Sequence, residues 1–273
     1  MNFGLIIIGD EILSGKRQDK HLPKVIDLLT ARGLTLSWAR YVGDDPQRIT
    51  ADLTDAFAAA REKGDVVFSC GGIGATPDDH TRQCAARALG VPLALHPQAR
   101  ELILERMRDI AAERGEPYEP DREDNVHRLN MGVFPEGAQI IPNPYNKIAG
   151  FSIRYPQGGV YFVPGFPVMA WPMIEWVLDQ HFAHLHRSQA QRERSVIVFG
   201  AMEATLTPLM EGIEAEFSGV KVFSLPSVDH PEWGRHIELG VKGLDADRLA
   251  AAYRELLQGL RAHGAQLGPE LVR

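Results

Sequence analysis

The sequence predicts an α/β protein with a mainly parallel sheet, followed by a small α+β domain. Short apolar runs bounded by turn residues alternate with longer segments of helical periodicity, which is typical of βαβ units. Glycine and acidic residues directly follow three of the apolar runs, where parallel sheets bind ligands. The polar run His184 to Arg194 lacks apolar periodicity, and we predict domains at 1–183 and 195–265 on either side of it.

The first half of the chain contains three predicted strand and helix pairs. They are a strand at 5–8, a helix between Asp19 and Gly33, a strand at 34–42, a helix starting at Asp45-Pro46, a strand at 66–68 and a helix ending near Gly90. Asp45 before Pro46 is typical of an N-cap followed by proline at the first helical position. Short connections of this kind favour crossovers that cover both faces of a parallel sheet.

The other predicted elements are irregularly spaced before the polar run at 184–194 and closely spaced after it. Before it they are a helix at 98–114, strands at 151–154 and 160–163, and a helix around 171–178. After it a β-α-β-β-α unit is predicted at 196–199, 205–217, 220–224, 236–241 and 246–262.

A glycine-rich turn follows the third strand and is the strongest functional signal. Gly71, Gly72 and Gly74 permit sharp turns and leave backbone N–H groups open to an anion. These features predict a nucleotide or pterin phosphate at this turn, although an isolated glycine pattern is also common in α/β proteins.

The residues after the glycine turn predict the start of a helix. Thr76 is placed as an N-cap, Pro77 as the first helical residue and Asp79 as the partner in a capping box. A phosphate at this point is favoured by the helix dipole. The alternative is an ordinary helix start at which Asp78 and Asp79 only compensate the dipole.

Acidic residues are predicted to converge on the edge of the sheet next to the glycine turn. They are Asp10, Glu11, Asp44, Asp45, Asp78 and Asp79. Carboxylates beside a phosphate require a divalent cation, most often Mg²⁺, which assists attack on a diphosphate. We predict Asp79 and Asp44 as the catalytic and metal-binding pair, and Asp45 as a helix cap.

Composition restricts the class of protein. The 273 residues carry a net charge of −7, which argues against a nucleic-acid partner. Two cysteines form neither a disulfide framework nor a four-cysteine zinc site. The apolar run at the start is too short for a membrane span and lacks the features of a signal peptide. We therefore expect a cytoplasmic protein with a small-molecule ligand and no membrane partner.

Other polar residues have a weaker case for function. The basic residues considered for phosphate contacts are Lys147, Arg154, Arg82 and Arg128. The histidines at 181, 184 and 186 have a metal-like spacing but are interpreted as a solvated helix end. Cys70 is interpreted as a small core residue because no base is near it in sequence.

Four ordered segments resemble the molybdopterin-binding-domain superfamily, most closely the amino-terminal part of the competence/damage-inducible protein A (CinA-like) family. The segments are Gly9 to Gly15, Val42 to Asp45, Gly71 to Thr81, and Pro135 through Asn143-Pro144 to Phe151, with Pro164 to Pro167 matching a further family segment. Together they cover about residues 4 to 180, and the tail resembles the small second domain of that family.

The resemblance implies an αβα three-layer sandwich with a ligand at the glycine loop. The ligand-binding positions it implies, together with the glycine turn, are Gly71, Gly72, Gly74, Thr76, Asp10, Glu11, Ser14, Asn143, Lys147, Pro164 and Gly165. In related adenylyltransferases, acidic residues matching Asp79 and Asp44 support metal-dependent adenylylation. The competence/damage-inducible branch is associated with metal-dependent ADP-ribose pyrophosphatase activity. The relatives commonly self-associate, so a homo-oligomer is expected.

This chain departs from the family pattern. Asn146 to Ala149 replace a glycine-threonine-alanine-proline run, and His21 stands where asparagine is common. The amidase module of longer relatives is not expected within these residues, so no deamidase activity is expected. Three hypotheses remain: a metal-dependent nucleotide pyrophosphatase, a protein that binds molybdopterin or transfers adenylyl groups, and a nucleotide-binding regulatory protein without turnover.

Overall fold

A computed structural model describes residues 1–186 and 192–272 and divides the chain into two compact units. We call residues 1–186 unit 1 and residues 192–272 unit 2. The boundary run His184–Arg194 includes residues 187–191, which lie outside the described part of the chain.

Unit 1 alternates strands and helices along the chain. Its strands are β1 (Phe3–Ile8), β2 (Leu36–Val42), β3 (Val66–Cys70), β4 (Leu93–Leu95), β5 (Val133–Pro135), β6 (Gln139–Ile141), β7 (Gly150–Arg154) and β8 (Gly159–Val163). Its helices are α1 (Asp10–Leu13), α2 (His21–Thr30), α3 (Pro46–Lys63), α4 (Thr81–Leu89), α5 (Pro97–Arg114), α6 (Glu123–Arg128) and α7 (Pro167–His181). Short 3-10 turns lie at Leu129–Gly132 and Ala183–Leu185.

The central sheet has the strand order β2-β1-β3-β8-β7-β6. The pairs β1–β2, β1–β3 and β3–β8 are parallel, whereas β7 is antiparallel to both neighbours. The prediction of a mainly parallel sheet is therefore confirmed.

Alternating side chains on β1 build a core on each face of the sheet. Leu5 and Ile7 belong to a cluster with α2 and α7, and Ile6 and Ile8 belong to a second cluster with α3 and α4. All four are at most 5% exposed. Unit 1 is thus a three-layer αβα sandwich, and the loops after β1, β2 and β3 lie at one edge of its sheet.

Several short elements of unit 1 escaped prediction. Strands β4, β5 and β6 have three residues each, and α1 has four. Segments this short show no periodicity from which to assign them. The charged stretch at 121–128 also contains α6.

Unit 2 contains one antiparallel sheet covered by two helices. Its elements are β9 (Arg192–Phe199), α8 (Glu203–Glu216), β10 (Val220–His230), β11 (Gly234–Gly243), α9 (Ala246–Ala262) and β12 (Gln266–Val272). The strand order is β10-β11-β9-β12, and residues of both helices share one core cluster with the sheet.

The predicted β-α-β-β-α unit was incomplete, because β12 follows its last helix. β12 contains Gly268 and Pro269 and pairs with β9 through an irregular register between Leu267 and Glu270. Proline is tolerated in an edge strand, although in sequence it argues against any strand. No helix in the described ranges combines the length and apolarity needed to cross a membrane.

Candidate functional site

A cavity of about 690 Å³ lies beside the loop that follows β3. We call residues 71–79 the glycine loop and this space the glycine-loop cavity. The residues predicted to bind ligand or metal that line this cavity are Gly71, Gly72, Gly74, Thr76, Glu11, Asp44, Asp79, Pro164 and Gly165. Segments far apart in sequence thus meet at the carboxyl edge of the parallel sheet, where such sheets bind ligands.

Two glycines of the loop have conformations and contacts that exclude a side chain. Gly71 has φ 108° and Gly72 has φ 66°, both in the left-handed region that favours glycine. A Cβ on Gly71 would lie 2.3 Å from the backbone oxygen of Ile8, and one on Gly72 would lie 2.2 Å from Thr81 Oγ1. The loop therefore packs directly against β1 and the start of α4.

Four successive N–H groups of the glycine loop have no acceptor. Gly71 N–H donates to Val163 O, and Thr76 N–H donates to Asp79 Oδ2. Between them, the N–H groups of residues 72–75 are bonded to no acceptor in the described residues. Successive unpaired amides in a glycine turn are the groups that bind phosphate oxygens.

The predicted helix start at Thr76 is wrong, because α4 begins at Thr81. One half of the predicted capping box is nevertheless present, since Asp79 Oδ2 accepts hydrogen bonds from both the N–H and the hydroxyl of Thr76. Asp79 N–H also donates to Thr76 O at 3.1 Å. These bonds close a turn at Pro77 and Asp78, and the first helical residue is Thr81 rather than the predicted Pro77, four residues later.

Asp10 and Asp44 join the loops after β1 and β2 through reciprocal hydrogen bonds. Asp10 N–H donates to Asp44 Oδ2 at 2.9 Å, and Asp44 N–H donates to Asp10 Oδ1 at 3.1 Å. Asp45, as predicted, caps α3 by accepting from Gln47 N–H and Arg48 N–H.

The Asp44 carboxyl lies in an unfavourable electrostatic environment. Its partial burial raises its pKa above the ordinary value, and the negative charges of Asp10, Glu11 and Asp78 add to the increase. The hydrogen bond from Asp10 N–H opposes it. A cation beside Asp44 would relieve this repulsion.

The acidic residues do not form a complete metal site by themselves. Within residues 1–186 and 192–272, no group of three or more His, Cys, Asp or Glu side chains is arranged to hold a metal ion. A site with one or two carboxylates still suits Mg²⁺, which keeps several waters and takes further oxygens from a phosphate. The carboxylate oxygens of Asp44 and Asp79 are suitable metal ligands for this mode of binding.

Four of the predicted ligand-binding residues lie outside the glycine-loop cavity. Asp10 and Ser14 line an outer groove next to it. Asn143 is buried and organises its own loop, donating to Asn146 Oδ1 and Ile148 O. The Lys147 ammonium is 2.7 Å from Glu105 and from Asp109 on α5, so these carboxylates hold it away from the cavity.

Sequence reasoning missed several residues that line the cavity. They include Arg17, Met131 and Met169, together with Asn146 and Phe166, which lie in segments singled out by the resemblance but were not themselves predicted to bind the ligand. Among the described lining residues, Arg17 is the one with a basic side chain. Its position two residues after the Gly9 to Gly15 segment was the available signal.

Arg82 is a buried residue of α4 that hydrogen-bonds to the backbone of the glycine loop. It is 4% exposed, and its guanidinium donates to Gly74 O in the loop and to Asn130 O in the turn that carries Met131. Its Nε has no partner in the described residues. Arg82 therefore connects two walls of the cavity, and burial lowers its pKa from the ordinary value.

Replacing Arg82 by methionine (Arg82→Met) is expected to lower the free energy of unfolding by about 2 kcal/mol, since two carbonyls lose a charged donor. Urea unfolding of the variant measures this loss. Arg87→Met on the exposed face of α4 is the matched control and is expected to change stability little. Equal stability of the two variants would show that the Arg82 bonds do not support the loop.

The fold and the cavity define unit 1 as a three-layer α/β domain whose glycine loop faces a cavity at the carboxyl edge of the sheet. Residues 4–184 match the family model described as "Probable molybdopterin binding domain". The chain belongs to this family.

Comparison with known proteins extends the similarity into unit 2. The chain is 31% identical over 261 residues to a CinA-like protein of Anaeromyxobacter dehalogenans (strain 2CP-C) and 33% identical over 265 residues to one of Citrifermentans bemidjiense. These matches cover 95% and 96% of this chain, which spans only 60% and 59% of the relatives' lengths.

A solved structure of the protein CinA from Thermoplasma acidophilum has a similar fold. Its TM-score is 0.54 at 23% sequence identity, covering 66% of this chain and 98% of the other.

Proposed function

We propose that the glycine-loop cavity binds a nucleotide or pterin phosphate together with a divalent cation and hydrolyses a nucleoside diphosphate compound such as ADP-ribose. The observation that carries this proposal is the run of four N–H groups at residues 72–75 that have no acceptor within residues 1–186 and 192–272. They border a cavity that is also lined by Asp44 and Asp79. Amides for an anion and carboxylates for a cation therefore meet in one space.

The cation is required by the charge balance of the cavity. Glu11, Asp44, Asp78 and Asp79 line it, against the single cation Arg17 among the described lining residues. A bound diphosphate would add further negative charge. A bound Mg²⁺ would neutralise charge on the phosphate oxygens and make the phosphorus more electrophilic.

Asp44 and Asp79 have different roles in this proposal. Asp44, whose pKa is raised by burial and neighbouring acids, would hold the cation. Asp79 keeps the loop closed with Oδ2, and its Oδ1 accepts a proton from the attacking water. The water oxygen bonds to one phosphorus, the bond from that phosphorus to the bridging oxygen breaks, and ADP-ribose gives AMP and ribose 5-phosphate.

The direct test incubates the purified chain with ADP-ribose, FAD or ATP and measures AMP. Release of AMP with Mg²⁺, and its loss on chelation with EDTA, is the expected result for at least one diphosphate compound. Binding of these compounds with no AMP under any divalent cation would instead indicate a regulatory protein. The replaced loop at Asn146–Ala149, with Lys147 held by α5, is the feature that favours this outcome.

The family match supports a second candidate, binding of molybdopterin in molybdenum cofactor synthesis. The family model spans the whole of the domain that carries the cavity, and a pterin phosphate needs the same amides. A pterin that copurifies with the protein, detected by its fluorescence, would favour this function, as would transfer of AMP from ATP to that pterin.

Changing Asp79 to asparagine (Asp79→Asn) is expected to reduce turnover about a hundredfold and to change stability by less than about 0.5 kcal/mol. The amide oxygen of asparagine still accepts the hydrogen bond from Thr76 N–H, whereas the charge that accepts the proton is lost. Steady-state kinetics and thermal melting measure the two effects.

Asp79→Ala serves as the comparison, because it removes both the charge and the acceptor. It is expected to lose stability as well as turnover. If Asp79→Asn melts as early as Asp79→Ala while retaining wild-type turnover, Asp79 has only a structural role.

A further inference from the structure

The glycine-loop cavity adjoins a second space of about 330 Å³, which we call the side compartment. The two spaces share lining residues from three segments of unit 1. These are Ile8, Glu11, Arg17, Gly165 and Phe166. One extended ligand is therefore able to occupy both.

Arg17 lies at the junction of the two spaces and is weakly held there. It lines both of them. Its guanidinium is 5.9 Å from the centre of the Phe166 ring and 3.9 Å from the carboxylate of Glu11. Exposed ion pairs of this kind contribute little to stability. The guanidinium is thus available for a phosphate, which it binds through two parallel hydrogen bonds.

The lining of the side compartment suits an organic group. Its inner part includes Ile12 and the buried Cys70, and its outer part includes the polar Gln18 and Lys20. An apolar floor with a few polar groups at the rim is typical of small-molecule sites.

His21 fixes the wall of the side compartment. Its Nε2 is 3.0 Å from Gly165 O, and because a carbonyl only accepts, Nε2 carries the proton. The other ring nitrogen, Nδ1, is buried with no partner in the described residues. A buried polar atom left unpaired is unusual in a folded domain, and this one belongs to a residue that lines the side compartment.

We propose that Arg17 binds the second phosphate of a diphosphate ligand and that the side compartment holds the sugar or ring attached to that phosphate. The inference rests on the proposed function, in which the first phosphate lies at the glycine loop. The preferred ligand then carries an organic group on each side of the diphosphate. A mononucleotide occupies only the glycine-loop cavity.

The test compares AMP with the non-hydrolysable α,β-methylene analogue of ADP-ribose, each measured by calorimetry with Mg²⁺. The wild-type chain is expected to bind the analogue at least about tenfold more tightly than AMP. Arg17→Gln removes the guanidinium, and Gln18→Trp fills the side compartment from an exposed position. Each is expected to weaken binding of the analogue about tenfold and binding of AMP less than about threefold.

The control is Lys24→Gln, which removes a cation that lies over the Trp171 ring and borders neither space. It is expected to bind both probes as the wild type does. If AMP binds but both variants bind the analogue as tightly as the wild type, or lose both probes equally, the role of Arg17 and the side compartment is refuted while the proposed function stands. If the wild type binds neither probe, the proposed function fails and the inference with it.

Discussion

Replacing Asp44 by asparagine (Asp44→Asn) is expected to abolish metal-dependent turnover while leaving the fold as stable as before or more stable. In the proposed function, the substitution removes the carboxylate that holds the cation, and the loss of a Lewis acid worth several kcal/mol is expected to lower kcat/KM about a thousandfold. The amide oxygen still accepts from Asp10 N–H, which Asp44 Oδ2 does at 2.9 Å. The connection between the two loops is therefore retained.

The effect on stability has a definite sign. Burial and three neighbouring acids raise the pKa of Asp44 in the folded chain, so folding is less favourable once that carboxyl is ionised. Its contribution is full below the ordinary pKa of an aspartate and is lost as the pH rises through the raised folded value. At neutral pH and without a metal, the free energy of unfolding of Asp44→Asn is therefore expected to equal that of the wild type or to exceed it by up to about 0.5 kcal/mol.

Thermal melting at neutral pH in EDTA and then in Mg²⁺ measures both effects. Mg²⁺ is expected to stabilise the wild type by binding only the folded state and to leave Asp44→Asn unchanged. Asp45→Asn is the matched control, because Asp45 caps α3 and asparagine is an equally good cap. An Asp44→Asn variant that still responds to Mg²⁺ and turns over normally would place the cation elsewhere.

The sequence predicted the sheet well because strong local signals agree with the tertiary structure. Every residue of β1 is apolar or glycine and is buried, as expected for an interior strand of a sheet. Asp45 caps α3 and Pro46 begins it, as predicted. The convergence of Glu11, Asp44 and Asp79 on one cavity follows from a general property, since the carboxyl ends of parallel strands share one edge.

Details that depend on side-chain competition were not predictable. Asp79 bonds to Thr76 in both a capping box and a tight turn, so the motif alone does not locate the start of α4. The family resemblance predicted Lys147 in a phosphate-binding loop. Its ammonium instead pairs with two carboxylates on α5. Arg17 lines the cavity from the segment that follows α1, and a four-residue helix has no periodic signature from which that position could be predicted.

Replacing Gly71 by alanine (Gly71→Ala) is expected to have the largest effect on stability, about 3 kcal/mol or more. Its φ of 108° is a conformation that alanine adopts only with strain, at a cost of about 1–3 kcal/mol. The added Cβ would also lie 2.3 Å from Ile8 O. That oxygen belongs to the backbone of β1, so relief requires movement of the sheet rather than rotation of a side chain.

Gly90→Ala separates the two causes, because Gly90 has φ 69° and an added Cβ there would meet nothing within 4 Å. Its expected cost is therefore only the backbone strain of about 1 kcal/mol. Urea unfolding followed by circular dichroism measures both variants, and pyrophosphate binding with Mg²⁺ is expected to be lost in Gly71→Ala alone. The proposed anion site depends on close packing of the loop against β1, so equal losses in the two variants would contradict this account of the anion site.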